Sequence, residues 1–299
     1  MSTRWGYYIL GIVLGLVVLL VRQIPAGHAR MVVCDVGQGD AILIIKGSNQ
    51  VLVDGGPSSE KMLSCLERHV PFWDRRIELI VLTNTDYDHM QGLVAVIDRY
   101  QVIEFVTSDG VHGTDALSQF GDTLQRQGVV ARSIEQGDWL QVGSNERGSH
   151  LEFQVLWPPD TIEEYVAVFR DQINGRQREQ ILGASAKRGD LNERSVVLLL
   201  LEAGKQVLLT GDIGFQTEQS LLEQGRLSDI DILKVGHHGS KYASGAEFLV
   251  KIHPELAVIS AGTKNRYGHP TQETLDRLSK VGAEIKRTDQ DGDIVLELN

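Results

Sequence analysis

The sequence predicts an α/β fold in which two β-sheets pack face to face with helices on their outer sides. Three observations carry this expectation. Short apolar β-runs recur in two groups, helical patterns fall between the runs rather than in one block, and several runs end directly on clustered polar residues. The composition agrees: 42% hydrophobic and 23% charged residues with 7 Pro and 2 Cys exclude a disordered chain, a collagen-like repeat, a disulfide scaffold and a multi-pass membrane protein.

The first element is the charge-free run Trp5 to Val21 (WGYYILGIVLGLVVLLV), which approaches the roughly 20 residues needed to cross a bilayer. No polar face interrupts it, so it predicts a membrane-embedded helix rather than a buried core helix. Small residues at Ala26-Gly27-His28-Ala29 leave a cleaved signal peptide open. Residues 1–29 are therefore expected to be an anchor or signal segment, and residues 30–299 a folded domain held close to the membrane, or secreted if the segment is removed. Cys34 and Cys65 sit in apolar surroundings and are expected to be small buried hydrophobes rather than a bridge or a metal pair.

Three closely spaced strands follow at Met31 to Asp35, Ala41 to Ile45 and Val51 to Asp54, with no helix between them, which predicts an antiparallel meander. Helices are expected at Glu60 to Val70, Met90 to Tyr100 and Thr114 to Gln127, alternating with strands at Ile77 to Thr83, Val102 to Thr107 and Val129 to Ser133. More strands are expected at Leu151 to Trp157, Ser195 to Leu201, Gln206 to Thr210, Asp231 to Val235, Leu256 to Ser260 and Asp293 to Leu298. Between them Pro158 to Leu191 is polar, mixed in charge and poor in strand signal, and reads as a long functional excursion.

The chemistry lies where strands end. Ile77 to Thr83 runs into Asn84-Thr85-Asp86-Tyr87-Asp88-His89, which offers three oxygen ligands at a spacing of two and then a histidine. That is more than a helix cap requires, and it points to metal binding. Three more strands deliver polar groups at their C-terminal ends: Thr210-Gly211-Asp212, Gly236-His237-His238-Gly239-Ser240-Lys241, and Ser260 to Pro270 with Lys264, Arg266 and His269.

In this order, LVDGG, TNTDYDHMQGL, LLTGD, LKVGHHGSK and SAGTKNRYGHP resemble the metallo-β-lactamase superfamily, and within it the extracytoplasmic nuclease domain of ComEC-type competence proteins. The likeness runs from Met31 to Asn299 and includes the opening CDVGQGDAILI. It implies an αββα four-layer sandwich with a metal site at one edge of the two sheets and an extracytoplasmic location. Carried over, the ligand motif falls on Asn84, Asp86, Asp88 and His89, the bridging carboxylate on Asp212, and the late histidine on His237, with His238 beside it. Asn192 matches the ligand before the Ser195 strand. The resemblance thus implies one or two divalent ions, with a complete position at Asp88, His89, Asp212 and His237. The other is weakened by two amides, Asn84 and Asn192, which suit a hard ion such as Mn²⁺ or Mg²⁺ better than Zn²⁺. Asp54 either orients a ligand or ends its strand.

The expected reaction is metal-dependent hydrolysis of a phosphodiester, with Asp88, His238 and His269 as candidate catalytic groups and DNA as substrate. Although the whole chain carries a formal charge of -11, Lys234 to Arg287 holds nine Lys/Arg against five Asp/Glu. Lys241, Lys264 and Arg266 are expected to hold backbone phosphates, and Ser240 and His269 to bond a phosphate oxygen. Arg277, Lys280 and Lys286 read as a solvated face; Tyr242 and Tyr267 read either as base-stacking groups or as packing. ComEC-type proteins join this domain to a multi-pass channel region that the 299 residues lack, which leaves two expectations open: a separate DNA-channel protein as a partner, or a domain that acts alone. Two other readings stay open: hydrolysis of a small ester, lactam or nucleotide, and a non-catalytic binding module with a degenerate metal site.

Overall fold

The computed structural model describes residues 27–108, 115–144, 150–159 and 192–299, together with Tyr7, Tyr8, Leu10, Gly11, Val13, Leu14 and Gly15. Strands β1 (Ala29–Val33), β2 (Ile42–Lys46) and β3 (Asn49–Val53) form the expected antiparallel meander. Helices then make the crossovers that parallel pairing demands: α1 (Ser59–His69) leads to β4 (Arg76–Leu82), α2 (Tyr87–Arg99) to β5 (Gln101–Thr107), and α3 (Asp115–Arg126) to β6 (Val130–Ser133).

A second sheet begins with antiparallel β7 (Trp139–Val142), β8 (Leu151–Trp157), β9 (Val197–Glu202) and β10 (Lys205–Leu209). It continues with parallel β11 (Ile232–Lys234), β12 (Leu256–Ile259) and β13 (Glu284–Arg287). Helices α4 (Phe215–Glu223), α5 (Ala246–Ile252) and α6 (Gln272–Lys280) are interspersed, followed by the short α7 (Thr288–Asp291). The last strand, β14 (Ile294–Leu298), returns to pair with β1, so among the described residues each sheet has seven strands, ordered β14-β1-β2-β3-β4-β5-β6 and β13-β12-β11-β10-β9-β8-β7.

Three apolar clusters define the layers. Val53, Val81 and Val106 of the first sheet meet Phe153, Leu198 and Val207 of the second. Met62, Leu66, Leu93 and Ile97 cover the outer face of the first sheet, and Leu221, Phe248, Leu249 and Leu278 that of the second. The result is the αββα order of layers expected from the sequence. Being covered on both faces explains why β9, VLLLLE, reads as a nearly continuous apolar run.

Two expectations are corrected. Cys34 and Cys65 form a disulfide with Cα atoms 6.0 Å apart, closing a separation of 31 residues between the end of β1 and α1. Both are buried, as expected, but packing α1 against the first sheet brings them within bridging distance, which local composition does not reveal. The second correction concerns the membrane anchor, the location at a membrane and the secreted alternative. Most of residues 5–21 lie outside the described residues, and among the described residues no helix is long and apolar enough to cross a membrane. The excursion predicted after Pro158 also lies, from residue 160 to 191, outside the described residues.

Candidate metal centre

In both sheets the parallel strands point their C-terminal ends to the same edge of the sandwich, and the site is assembled there. From the first sheet, β3 ends just before Asp54, β4 ends before Thr83 and Asn84, and the first turn of α2 carries Asp88 and His89. From the second, β10 ends before Asp212 and β11 ends before a tight turn, Gly236–Gly239, that bears both histidines. His237 and His238 both adopt left-handed backbone, φ 46° and 54°, a conformation costing about 1–2 kcal/mol per residue. That turn sends the two rings to different places: His238 is buried against the inter-sheet edge, whereas the His237 side chain is 33% exposed.

Ligand atoms of Asp88, His89, Asp212 and His238 all lie within 4.8 Å of one another. His89 Nε2 is 3.2 Å from Asp212 Oδ2; His238 Nε2 is 3.6 Å from the same oxygen and 3.5 Å from Asp88 Oδ2. Three of these buried atoms, His89 Nε2, His238 Nε2 and Asp212 Oδ1, have no hydrogen-bond partner among the described residues. Buried polar atoms are rarely left unpaired, and three converging on one point fit a bound cation. Two imidazole nitrogens and two carboxylates are a donor set that suits Zn²⁺ or Mn²⁺.

Electrostatics is consistent with a site built for positive charge. Burial disfavours the charged ring of His89, but Asp212 and Asp54 overcome this and raise its pKa well above the usual value. His238 is likewise disfavoured by burial and pushed up to about 10 by Asp212 and Asp40. Burial disfavours the Asp212 carboxylate, yet His238 and His89 hold its pKa well below the usual range. Asp88 is lowered against its burial by His238 and His89. Asp54 is raised by burial and accepts from the Thr83 N–H at 2.7 Å and the Thr83 hydroxyl at 2.6 Å, with His89 Nδ1 2.9 Å from its second oxygen. It therefore holds the His89 ring through Nδ1 rather than merely following β3.

The remaining predicted residues lie around this cluster. His237 Nε2 is 4.0 Å from Asp212 Oδ2, so His238 occupies the position in the cluster that the sequence suggested for His237. The Asn84 amide donates to Asn192 Oδ1 at 2.9 Å and accepts from the Asp86 N–H at 3.1 Å, while Asn192 Nδ2 is 3.5 Å from His237 Nε2. The two amides thus meet each other on the His237 side, and Asp86 caps α2 outside the four-residue cluster. His269 stacks on Tyr267 and its ring is 5.6 Å from that of His237; burial and the charges of His237 and His238 push its pKa down to about 4. Ser240 is buried and its hydroxyl accepts from the Tyr242 N–H at 3.4 Å. Lys241, Lys264 and Arg266 are exposed, as are Tyr242 and Tyr267. Arg277 is tied to the backbone of Lys241, Ala243 and Ser244 rather than free in solvent. Sequence reasoning missed Asp40 and Lys234, whose only signals were the polar end of VGQGD and a lysine inside an apolar strand.

The model of the metallo-beta-lactamase superfamily matches residues 34–263. The chain belongs to that superfamily. Among curated relatives, ComE operon protein 3 of Bacillus subtilis is 28% identical over 279 residues, 87% of this chain and 32% of the relative. Recombination protein 2 of Haemophilus influenzae is 28% identical over 287 residues, 95% of this chain and 30% of the relative. Competence protein ComA of Neisseria gonorrhoeae is 26% identical over 273 residues, 91% and 32%. The chain spans about a third of the length of these relatives. The fold is shared with Zn²⁺-bound PqqB of Methylobacterium extorquens at TM-score 0.53 and 12% identity, covering 90% of this chain and 100% of that one. As a member of the metallo-β-lactamase superfamily, the chain is a metallohydrolase with a candidate divalent-metal site.

Proposed function

We propose that this metallo-β-lactamase-fold chain is a metal-dependent phosphodiesterase that cleaves DNA. The observation that carries the metal dependence is the convergence of His89 Nε2, His238 Nε2 and Asp212 Oδ1 without hydrogen-bond partners. Asp88, His89, Asp212 and His238 would hold one divalent ion. When bound it would supply Lewis acidity to a phosphoryl oxygen and lower the pKa of water towards about 7. His237, with Asn84, Asn192 and Asp86, would support a second and weaker position.

The chain's own residues supply the rest. Asp88, ionised and with its side chain 31% exposed, takes the proton of the attacking water. His269, neutral at neutral pH, hydrogen-bonds the leaving oxygen. Lys241, Lys264 and Arg266 meet phosphates on either side of the cleaved bond, and Tyr242 and Tyr267 offer faces for bases. Ser240, buried and bonded within its loop, shapes the turn that presents Lys241. The names of two relatives, a recombination protein and a competence protein, favour DNA over a small ester or lactam. Competence also favours a role beside a DNA-channel protein.

The test is hydrolysis of labelled DNA by the purified chain with Mn²⁺ or Zn²⁺, set against a small-ester and lactam panel. Cleavage of DNA that EDTA abolishes is expected. Metal-loaded protein that hydrolyses only the small substrates would overturn the choice of DNA, and protein that takes up no metal would leave a non-catalytic binding module as the better reading.

A further inference from the structure

The VGQGD segment between β1 and β2 belongs to the first sheet, yet it reaches across the sandwich. Gly39 has a φ of 154°, and a Cβ there would lie 2.1 Å from the Asp88 carbonyl oxygen, so only glycine lets this loop pack against the start of α2. The Asp40 N–H donates to that same carbonyl at 3.1 Å, and the Ser260 hydroxyl donates to the Gly39 carbonyl at 2.6 Å. Asp40 is thereby fixed beside both halves of the metal centre.

Its side chain is 2% exposed and its Oδ2 pairs with the Lys234 ammonium, a group of the second sheet that is wholly buried. Lys234 Nζ also donates to the Val235 carbonyl at 3.0 Å and contacts the Gly211 carbonyl at 3.5 Å. The other carboxylate oxygen, Asp40 Oδ1, lies 3.3 Å from His238 Nδ1, which donates to the Ser260 carbonyl at 3.0 Å, and Oδ1 has no hydrogen-bond partner of its own. A buried Lys–Asp pair is a weak source of stability, because desolvating two charges offsets most of their attraction. What the pair accomplishes is better read from what Oδ1 faces.

We propose that Asp40, pinned by Lys234, is a positioning residue that holds His238 through Nδ1 so that Nε2 faces the cation. His89 Nδ1 is hydrogen-bonded to Asp54 at 2.9 Å, and His238 Nδ1, which donates to the Ser260 carbonyl, has Asp40 Oδ1 as its charge contact at 3.3 Å, so each histidine of the cluster has a buried carboxylate beside Nδ1. Such backing fixes the ring and raises the basicity of the ligating nitrogen, and its loss weakens metal affinity about 10–100-fold. Because Asp40 comes from the first sheet and His238 and Lys234 from the second, the pair also fixes the second-sheet ligand relative to the first-sheet ligands.

This inference rests on the metal-centre reading above, and its test separates the two. Asp40→Asn alone would leave Lys234 buried and unpaired, so the informative variant is Asp40→Asn/Lys234→Met, which removes both charges. The comparison is Lys46→Met/Glu202→Gln, which removes another buried cross-sheet pair (2.7 Å), at the opposite ends of β2 and β9. Calorimetric titration with Mn²⁺ and Zn²⁺, together with the visible spectrum of the Co²⁺-loaded protein, gives the readout, with Tm as the check on folding. The Asp40/Lys234 variant is expected to fold, to bind about 10–100-fold more weakly and to show an altered Co²⁺ spectrum, while the Lys46/Glu202 variant binds as the parent does. Parent-like affinity and spectrum in the Asp40/Lys234 variant would overturn the positioning role alone. Equal weakening in both variants would also overturn it, as a general loss of packing. A parent protein that binds no cation would overturn the metal centre, and this inference with it.

Discussion

Raising the pH from about 6 to about 8 should tighten cation binding, because a protonated His238 stands where the metal must go. In the metal-free protein His238 titrates at about 10, its carboxylate neighbours Asp212 and Asp40 having overcome the burial that opposes its charge. His89 is raised well above its usual value in the same way, by Asp212 and Asp54. His238 is therefore protonated across this range and must become neutral to ligate, and the shift of His89 acts in the same direction. Asp88 and Asp212, whose pKa values are lowered, are already ionised and release nothing. Cation binding should thus expel at least the His238 proton, so that the logarithm of the association constant rises by at least about one per pH unit, or roughly 1.4 kcal/mol. Titration calorimetry with Mn²⁺ in two buffers of different ionisation enthalpy counts the protons directly, and repetition at the second pH gives the slope. Binding that releases no proton and does not change with pH would refute the claim that His238 is a ligand held protonated by its carboxylate neighbours.

The same coupling acts on the metal-free fold. A histidine whose folded pKa is raised contributes stability that is fully present below its ordinary value near 6.5 and is lost as the pH rises towards its folded value near 10. In EDTA, Tm should therefore fall between about pH 7 and pH 9, and a Tm that rises over that interval would contradict the assignment. Asp212→Ala should abolish metal uptake and hydrolysis together while the far-ultraviolet spectrum stays native; retained activity would remove Asp212 from the centre. Replacing Lys241, Lys264 and Arg266 by alanine should raise KM for DNA and flatten the dependence of log(kcat/KM) on log salt by about 0.7–0.9 per lost phosphate contact, whereas an unchanged slope would place the DNA elsewhere. Reducing the Cys34–Cys65 bridge, which closes a separation of 31 residues, should cost about 3–4 kcal/mol in urea unfolding, and an unchanged midpoint would mean that the bridge does not form.

Strands whose apolar runs are bounded by glycine or polar residues were legible in the sequence. Leu151 to Trp157 was read to the residue, and β1, β2 and β3 lie within two residues of their expected positions. Weakly apolar edge strands were not legible: β7 (WLQV) and β13 (EIKR) carry too little hydrophobic contrast to stand out, and they form only because a sheet edge offers them a partner. The helix expected from Met90 begins three residues earlier, at Tyr87, because Asp86 opens it, and that earlier turn carries Asp88 and His89 onto rigid helix rather than loop.

By itself the sequence determined the two-sheet sandwich, the superfamily, and the strand ends at Asn84 to His89, Asp212 and His237-His238 from which a metal centre would be drawn, because hydrophobic period and local ligand spacing are properties of neighbouring residues. Tertiary structure decided everything that depends on which distant groups meet. It placed His238 rather than His237 in the four-residue cluster, through two consecutive left-handed residues that no spacing rule anticipates. It turned Asn84 and Asn192 towards each other, joined Cys34 to Cys65, and set Asp40 of one sheet behind a histidine of the other. These are contacts across 31 to 198 positions of chain, and their geometry follows from the packing of two sheets rather than from any segment read alone.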